Sequence, residues 1–241
     1  MRLSNSFMNA QPEQRISEPP TKQISDKASE VRITFYTDPL CCWSWAFENV
    51  WRKFLHHYAA EVSYRYVLCG MIPDWNTYTD DMNAVCKPLQ MGPVWMHTSE
   101  VTHTPMKYSI WHEDPPASSY PSCLAVKTAS LQSPKAEDLY LHAARQALML
   151  EGKNIAKQQV LFDLAKKLHG ADFDYEQFRL DWQSGRGKEA FKADLQKAKT
   201  NSIGRYPTLT FQKTGGEGIM IVGYRPLDAL VQVYQHFQKA K

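Results

Sequence analysis

The chain has 241 residues, of which 43% are hydrophobic and 22% charged, ordinary globular usage that argues against wholesale disorder. Twenty-eight basic against twenty-five acidic side chains leave +3, too small an imbalance to point to nucleic acid or an anionic membrane as partner. Five cysteines, an odd number at low density, argue against a disulfide-stapled secreted scaffold.

Residues 1–30 are rich in Ser, Glu, Gln, Lys and Pro and never build the apolar stretch of a secretory signal; a disordered tail is expected. No later segment reaches the roughly 20 apolar residues that span a bilayer. A cytoplasmic protein is the expectation. Val31–Thr37, β-branched and aromatic, predicts a strand that closes at Asp38-Pro39. From Cys41 to Tyr58, Trp45, Val50, Trp51, Phe54, Leu55 and Tyr58 fall at mostly helical spacings. Glu61–Gly70 returns to strand character, completing a βαβ unit with the usual right-handed crossover.

Residues 71–118 show no sustained period and read as a long, aromatic loop holding Trp75, Tyr78, Trp95, Tyr108 and Trp111; loops of that length generally serve a site. Helices are then expected at Pro121–Leu131, Pro134–Leu150 (with Ser133 as N-cap), Ile155–Leu168, Asp174–Trp182 and Lys188–Lys199. Thr208–Gln212 and Ile219–Val222 form a hairpin around the turn residues 214–218, and Leu227–Phe237 is an amphipathic closing helix. The expected architecture is α/β: a βαβ half (31–70) and a ββα half (203–241), separated by an inserted loop and helical domain (71–202).

The chemistry concentrates at Asp38-Pro39-Leu40-Cys41-Cys42-Trp43-Ser44-Trp45. A cysteine where a strand hands over to a helix sits near unpaired N–H groups and the positive end of the helix dipole. Comparable settings lower a cysteine pKa from about 8.5 to roughly 3.5–7.5, so Cys41 is expected to be an activated thiolate nucleophile. Cys42 reads as a packing residue or site modulator rather than a redox centre, Trp43 as a shaper of the site surface, and Cys123 as core. Ser44 either packs in the first helical turn or orients a bound thiol.

These residues resemble the DsbA-like branch of the thioredoxin superfamily, in which a strand runs into Asp-Pro-x-Cys-x-x-Cys-Trp and a helical domain interrupts the core. The resemblance implies a thioredoxin-like core and a cis-proline facing the thiol, which falls at Pro207, with Tyr206 as its partner. It departs at Ser44, which stands where the family's resolving cysteine lies. A Cys-x-x-Ser site forms a mixed disulfide but cannot release it by ring closure. Cys42 is a poor substitute, because adjacent Cα atoms lie about 3.8 Å apart, below the usual disulfide range. Resolution then falls to an external thiol, to Cys69, at the end of the second parallel strand and so at the same sheet edge, or to Cys86 swinging in from the long loop.

The implied function is thiol–disulfide oxidoreduction through one thiol, with Cys41, Ser44 and Pro207 catalytic, Cys42, Trp43 and Tyr206 binding substrate, and no cofactor beyond glutathione as a potential co-substrate. The sequence is also similar to kappa-class glutathione transferases and 2-hydroxychromene-2-carboxylate isomerases, whose Ser-Pro-Tyr-Ser-Trp aligns with Cys41–Trp45. A glutathione-dependent transferase or isomerase is therefore the second reading, and a binding adaptor that lost turnover the third. Partners are expected to be a protein or glutathione carrying thiol or disulfide, with oligomeric state open. No Cys-x-x-Cys or His-x-x-x-His pair occurs, so no metal is expected. A Gly-x-Ser-x-Gly elbow is missing too, and the glycines at 215–218 form a hairpin turn, not a phosphate cradle.

Overall fold

The computed structural model describes residues 31–239 apart from 214, 215 and 217; the expected N-terminal tail and part of the expected hairpin turn lie outside the described residues. Strand β1 (Val31–Thr37) leads into helix α1 (Cys42–Tyr58), and β2 (Val62–Leu68) follows. Helices α2 (Met91–Thr102), α3 (Ile110–Glu113), α4 (Tyr120–Ser130), α5 (Pro134–Met149), α6 (Gln158–Leu168), α7 (Tyr175–Gln183) and α8 (Arg186–Thr200) come next in the chain. Strands β3 (Thr208–Lys213) and β4 (Gly218–Val222) and helix α9 (Leu227–Lys239) close it. No helix among the described residues is long and apolar enough to cross a membrane.

The sheet order is β2-β1-β3-β4. β1 and β2 are parallel, in register from Val31↔Val62 to Thr37↔Leu68, whereas β3 is antiparallel to both β1 and β4. Alternation along each strand sorts the side chains. Phe35, Tyr66 and Phe211 face α1, where Phe35 meets Phe47 and Trp51 edge-on with ring centroids 5.6 and 5.5 Å apart, and Phe54 packs against Phe211 at 6.0 Å. α1 can bury this face because its aromatics recur three and four residues apart, with Trp51, Phe54 and Phe47 fully enclosed. Truncating Phe54 to alanine would cost about 3–5 kcal/mol in lost transfer energy and cavity. α9 joins the same layer through Tyr234, 6.1 Å from Phe54 and 4.6 Å from Tyr58.

Among the described residues, the other sheet face is covered only in part. Near the C-terminal ends of β1 and β2, Tyr36, Val67 and Cys69 pack with Ala198 of α8, and Ile203 and Tyr206 close over them. The helices between β2 and β3 form their own packed layer. α5 begins as expected, with the Ser133 hydroxyl accepting from Ala136 N at 3.0 Å and Pro134 in the first turn. α4 and α8 approach so closely at Gly187 that a Cβ there would lie 2.1 Å from Thr128 Oγ1.

The expected loop at 71–118 is corrected in part. It carries a 3-10 turn (Pro88–Gln90) and two helices, α2 and α3. α2 buries Met91, Trp95 and Thr98, a stripe at intervals of four and three, while Gly92 and Pro93 sit in its first turn. That one narrow stripe, interrupted by polar residues and helix breakers, is too weak to read as a period against the surrounding prolines.

Candidate functional site

β1 ends in Thr37 and Asp38, and the turn at 38–40 delivers Cys41 as the N-cap of α1, with extended backbone (φ −78°, ψ 112°). The Cys41 amide donates to Asp38 O at 3.1 Å, and its carbonyl accepts the first helical bond from Trp45 N at 3.0 Å. At the start of β3 the Tyr206–Pro207 peptide is cis. The Cys41 thiol donates to Tyr206 O at 3.7 Å, a bond that spans 165 residues of sequence. Cys41 and the Tyr206–Pro207 bond are therefore brought together, at the C-terminal edge of β1.

Ser44 is fully buried and its Oγ has no hydrogen-bond partner among the described residues. It sits one turn into α1, where both its hydroxyl and its amide favour the Cys41 thiolate. Cys42 points away from this edge into the core, with Sγ 3.3 Å from the Thr98 hydroxyl of α2, and burial pushes its thiol far up. Trp43 is half-buried, between His97 of α2 at 6.3 Å and Tyr224 at 6.4 Å. Cys69 lies in the cluster on the far sheet face and donates to Val67 O at 3.4 Å; no hydrogen bond or disulfide joins it to Cys41. Burial, with Asp38 adding to it, raises the Cys69 thiol too.

Burial works against the expected ionised Cys41. Its residue is only 5% exposed, and desolvation raises its pKa above the ordinary thiol value. Ser44 and the Arg145 cation work in the opposite direction, Asp38 in the same one, and burial wins.

Two buried carboxyls flank the first turn of α1, Asp38 before it and Glu48 beyond it. Asp38 is buried, and desolvation raises its pKa although its carboxyl accepts from Leu40 N at 2.9 Å, Met71 N at 2.6 Å and Cys123 Sγ at 3.4 Å. Two turns along α1, Glu48 is buried as well. It accepts from Arg52 Nε at 2.9 Å and Arg52 Nη2 at 2.7 Å, contacts His142 Nδ1 at 2.8 Å, and is joined by Arg145 of α5. Arg145 also donates to the Thr37 hydroxyl beside Asp38 and lies 5.9 Å from the Phe35 ring. Burial alone would raise the Glu48 pKa, but the Arg145, His142 and Arg52 partners hold it well below the carboxylate range. Asp38 belongs to the Asp-Pro-x-Cys motif, but its burial and its donors from Met71 and Cys123 are not visible in the sequence. Nothing local marks Arg145, whose partner is 97 positions away.

This strand-to-helix cysteine facing a cis-proline lies at the edge of a β2-β1-β3-β4 sheet, and the chain belongs to the thioredoxin family whose model matches residues 35–232. In sequence it is similar to the ClpXP adapter protein SpxH of Halalkalibacterium halodurans, 29% identical over 215 residues that cover 88% of this chain and 69% of that one. In structure it resembles a candidate protein disulfide isomerase from Nitrosomonas europaea, with a TM-score of 0.72 at 22% identity over 88% of this chain and 100% of the other. It also resembles the cytosolic disulfide reductase DsbM from Pseudomonas aeruginosa, with a TM-score of 0.67 at 16% identity over 87% and 100% of the two chains. At these identities the structural likenesses speak for the fold.

Proposed function

We propose that the chain exchanges thiols and disulfides with protein partners in the cytoplasm through Cys41 alone. The observation that carries this reading is the Cys41 thiol resting on Tyr206 O beside the cis peptide. An incoming chain lying along that edge replaces the internal contact. Once deprotonated, the Cys41 sulfur attacks the partner disulfide: a Cys41–partner S–S bond forms, the partner's own S–S bond breaks, and its second sulfur leaves as a thiolate that takes up a proton. The unpartnered Ser44 hydroxyl is placed to donate to the Cys41 sulfur as charge develops. Ser44 offers no second sulfur, so two external thiols such as glutathione complete the cycle. One frees the partner as a thiol and the other regenerates Cys41, and together they leave as one disulfide. Cys42 and Cys69 serve as packing residues in this scheme, and the half-buried Trp43 walls the entry with His97 and Tyr224.

The test is intact-mass detection of a Cys41-linked mixed disulfide with a model protein disulfide, followed by its turnover on adding glutathione. Loss of the adduct in Cys41→Ser is expected. An adduct that survives this substitution, or forms on Cys69, overturns the assignment. A second reading, a binding adaptor without turnover, is favoured because the SpxH relative is named as an adapter and burial raises the Cys41 thiol above its ordinary value. An adaptor keeps its partner in Cys41→Ala, whereas an exchange enzyme loses it under non-reducing capture. The transferase or isomerase alternative requires saturable glutathione binding, which calorimetry measures directly.

A further inference from the structure

The loop that follows β2 is held against the head of α1 on two sides. At its root, Met71 N donates to the carboxyl of Asp38, three residues before Cys41, at 2.6 Å. Further along, the Trp75 indole donates to Pro116 O at 2.9 Å, and its ring meets Trp111 edge-on at 6.0 Å. Trp111 packs against Trp95 of α2 at 5.2 Å, and α2 touches the first turn of α1 through Thr98 and Cys42. Between these anchors the backbone closes on itself. Asp74 accepts from Asn76 N and Thr77 N with its carboxyl and from Tyr78 N with its carbonyl, at 2.8, 3.1 and 3.1 Å, and Asp80 and Val85 exchange bonds of 2.8 and 3.0 Å. Tyr78, whose ring meets Trp75 edge-on at 5.3 Å, is therefore a fixed group.

Its hydroxyl lies within electrostatic reach of Cys41 without bonding to it. Tyr78 is half-buried, and besides Asp80 on its own loop the groups whose charge it feels are Cys41, Asp38 and Cys42. Its Oη forms no hydrogen bond among the described residues. Two other phenols near this edge are already engaged: Tyr206 turns its hydroxyl to Cys69, and Tyr36 Oη accepts from Asn201 at 2.6 Å. Burial, with those neighbouring negative groups, raises the Tyr78 pKa, so the phenol keeps its proton at neutral pH. In thiol–disulfide exchange the leaving sulfur stands beyond the attacked one, roughly 4 Å or more from the attacker when two S–S bonds of about 2 Å lie in line. Ser44 serves the attacking end. A held, protonated phenol near Cys41 but not bonded to it is placed for the other end.

We propose that Tyr78 is a catalytic hydrogen-bond donor to the leaving sulfur of a disulfide attacked by Cys41, an assignment that rests on the exchange reading above. As the Cys41–partner S–S bond forms and the partner's own S–S bond breaks, the electron pair passes to the leaving sulfur. The Tyr78 Oη–H donates a hydrogen bond to that sulfur while its charge develops. The thiolate then takes a proton from water, in place of the one that Cys41 gave up, and Tyr78 ends the step unchanged. Such help counts where the departing thiolate is basic, as that of a cysteine with a pKa of about 8.5 is, and counts little where the leaving anion is stable by itself.

The test compares two small disulfides on the full chain: hydroxyethyl disulfide, whose leaving alkanethiolate is basic, and dithiobis(nitrobenzoate), whose leaving arenethiolate is a stable anion. The rate of mixed-disulfide formation at Cys41 is read by peptide mapping at one pH. Tyr78→Phe, which keeps the ring against Trp75, is expected to slow the alkyl disulfide about tenfold and the aryl one by less than about twofold. Its urea midpoint is expected to match that of the parent, which separates lost donation from lost fold. Equal slowing of both disulfides, greater slowing of the aryl one, or no slowing of either overturns the assignment. So does a parent that reacts with the aryl disulfide alone. A parent that forms no Cys41 adduct with either overturns the exchange reading and Tyr78 with it, whereas adducts that form at the same rates in Tyr78→Phe remove Tyr78 and leave that reading standing.

Discussion

The first turn of α1 and the turns that follow treat burial in opposite ways. At 41–44 a thiol and a hydroxyl are enclosed with few partners, and desolvation pushes the Cys41 pKa up and leaves Ser44 Oγ unpaired. At 48–52 a carboxylate is enclosed among two guanidinium groups and an imidazole, and its pKa falls. Burial by itself therefore says nothing about charge; the partners placed around the group decide the sign. The paired half anchors the helix to α5, while the unpaired half stays poised to gain an interaction from outside.

Removing one side of the paired half should have the largest effect. Arg145→Ala leaves Glu48 as a buried charge without its main partner and is expected to cost about 3–5 kcal/mol in urea denaturation. Arg145→Met combined with Glu48→Met is expected to recover most of that loss; if the double variant is as weak as the single, the pair holds shape rather than charge.

Acid comes next. A carboxyl whose folded pKa lies below its unfolded value of about 4.3 stabilises the fold fully above that value, and the contribution is lost as pH falls through the folded one. Stability measured from neutral pH downward should therefore fall less steeply in Glu48→Gln than in the parent. An unchanged slope would remove Glu48 from the account.

In the unpaired half the sign reverses. Cys41 should alkylate more slowly than the exposed Cys86 at neutral pH, and its rate should still climb beyond the ordinary thiol value of 9.0. Cys42, further raised and held against Thr98, should be slower still, and Ser44→Ala should slow Cys41 further by removing a group that favours its anion. A Cys41 rate above that of Cys86 would restore the activated thiolate. The smallest effect belongs to the surface: Lys157→Ala breaks an exposed pair with Asp114 of 2.7 Å and should cost less than about 1 kcal/mol.

Much of this could be read from the residues. β1 and α1 follow from β-branched alternation and aromatic spacing, and the Tyr206–Pro207 bond was reachable through its resemblance to a known motif. The direction in which burial moves the Cys41 thiol was not, because the helix terminus is a local signal whereas the desolvation that opposes it comes from segments distant in sequence. Arg145 was invisible for the same reason. On an isolated helix it would count as a solvated cation, and only the fold reveals that it is 1% exposed and reaches both Glu48 and Thr37. α2 was hidden by weak amphipathy rather than by distance.

The carboxyl of Asp38 ties together the loop that carries Cys41, the exit from β2 through Met71, and α4 through Cys123. The helical stretch between β2 and β3 is for that reason not a cassette that can be cut out and bridged by a short linker. A minimised protein made that way would strip a desolvated acid three residues before Cys41 of two of its donors, and should lose the geometry of the very edge that such trimming is meant to isolate.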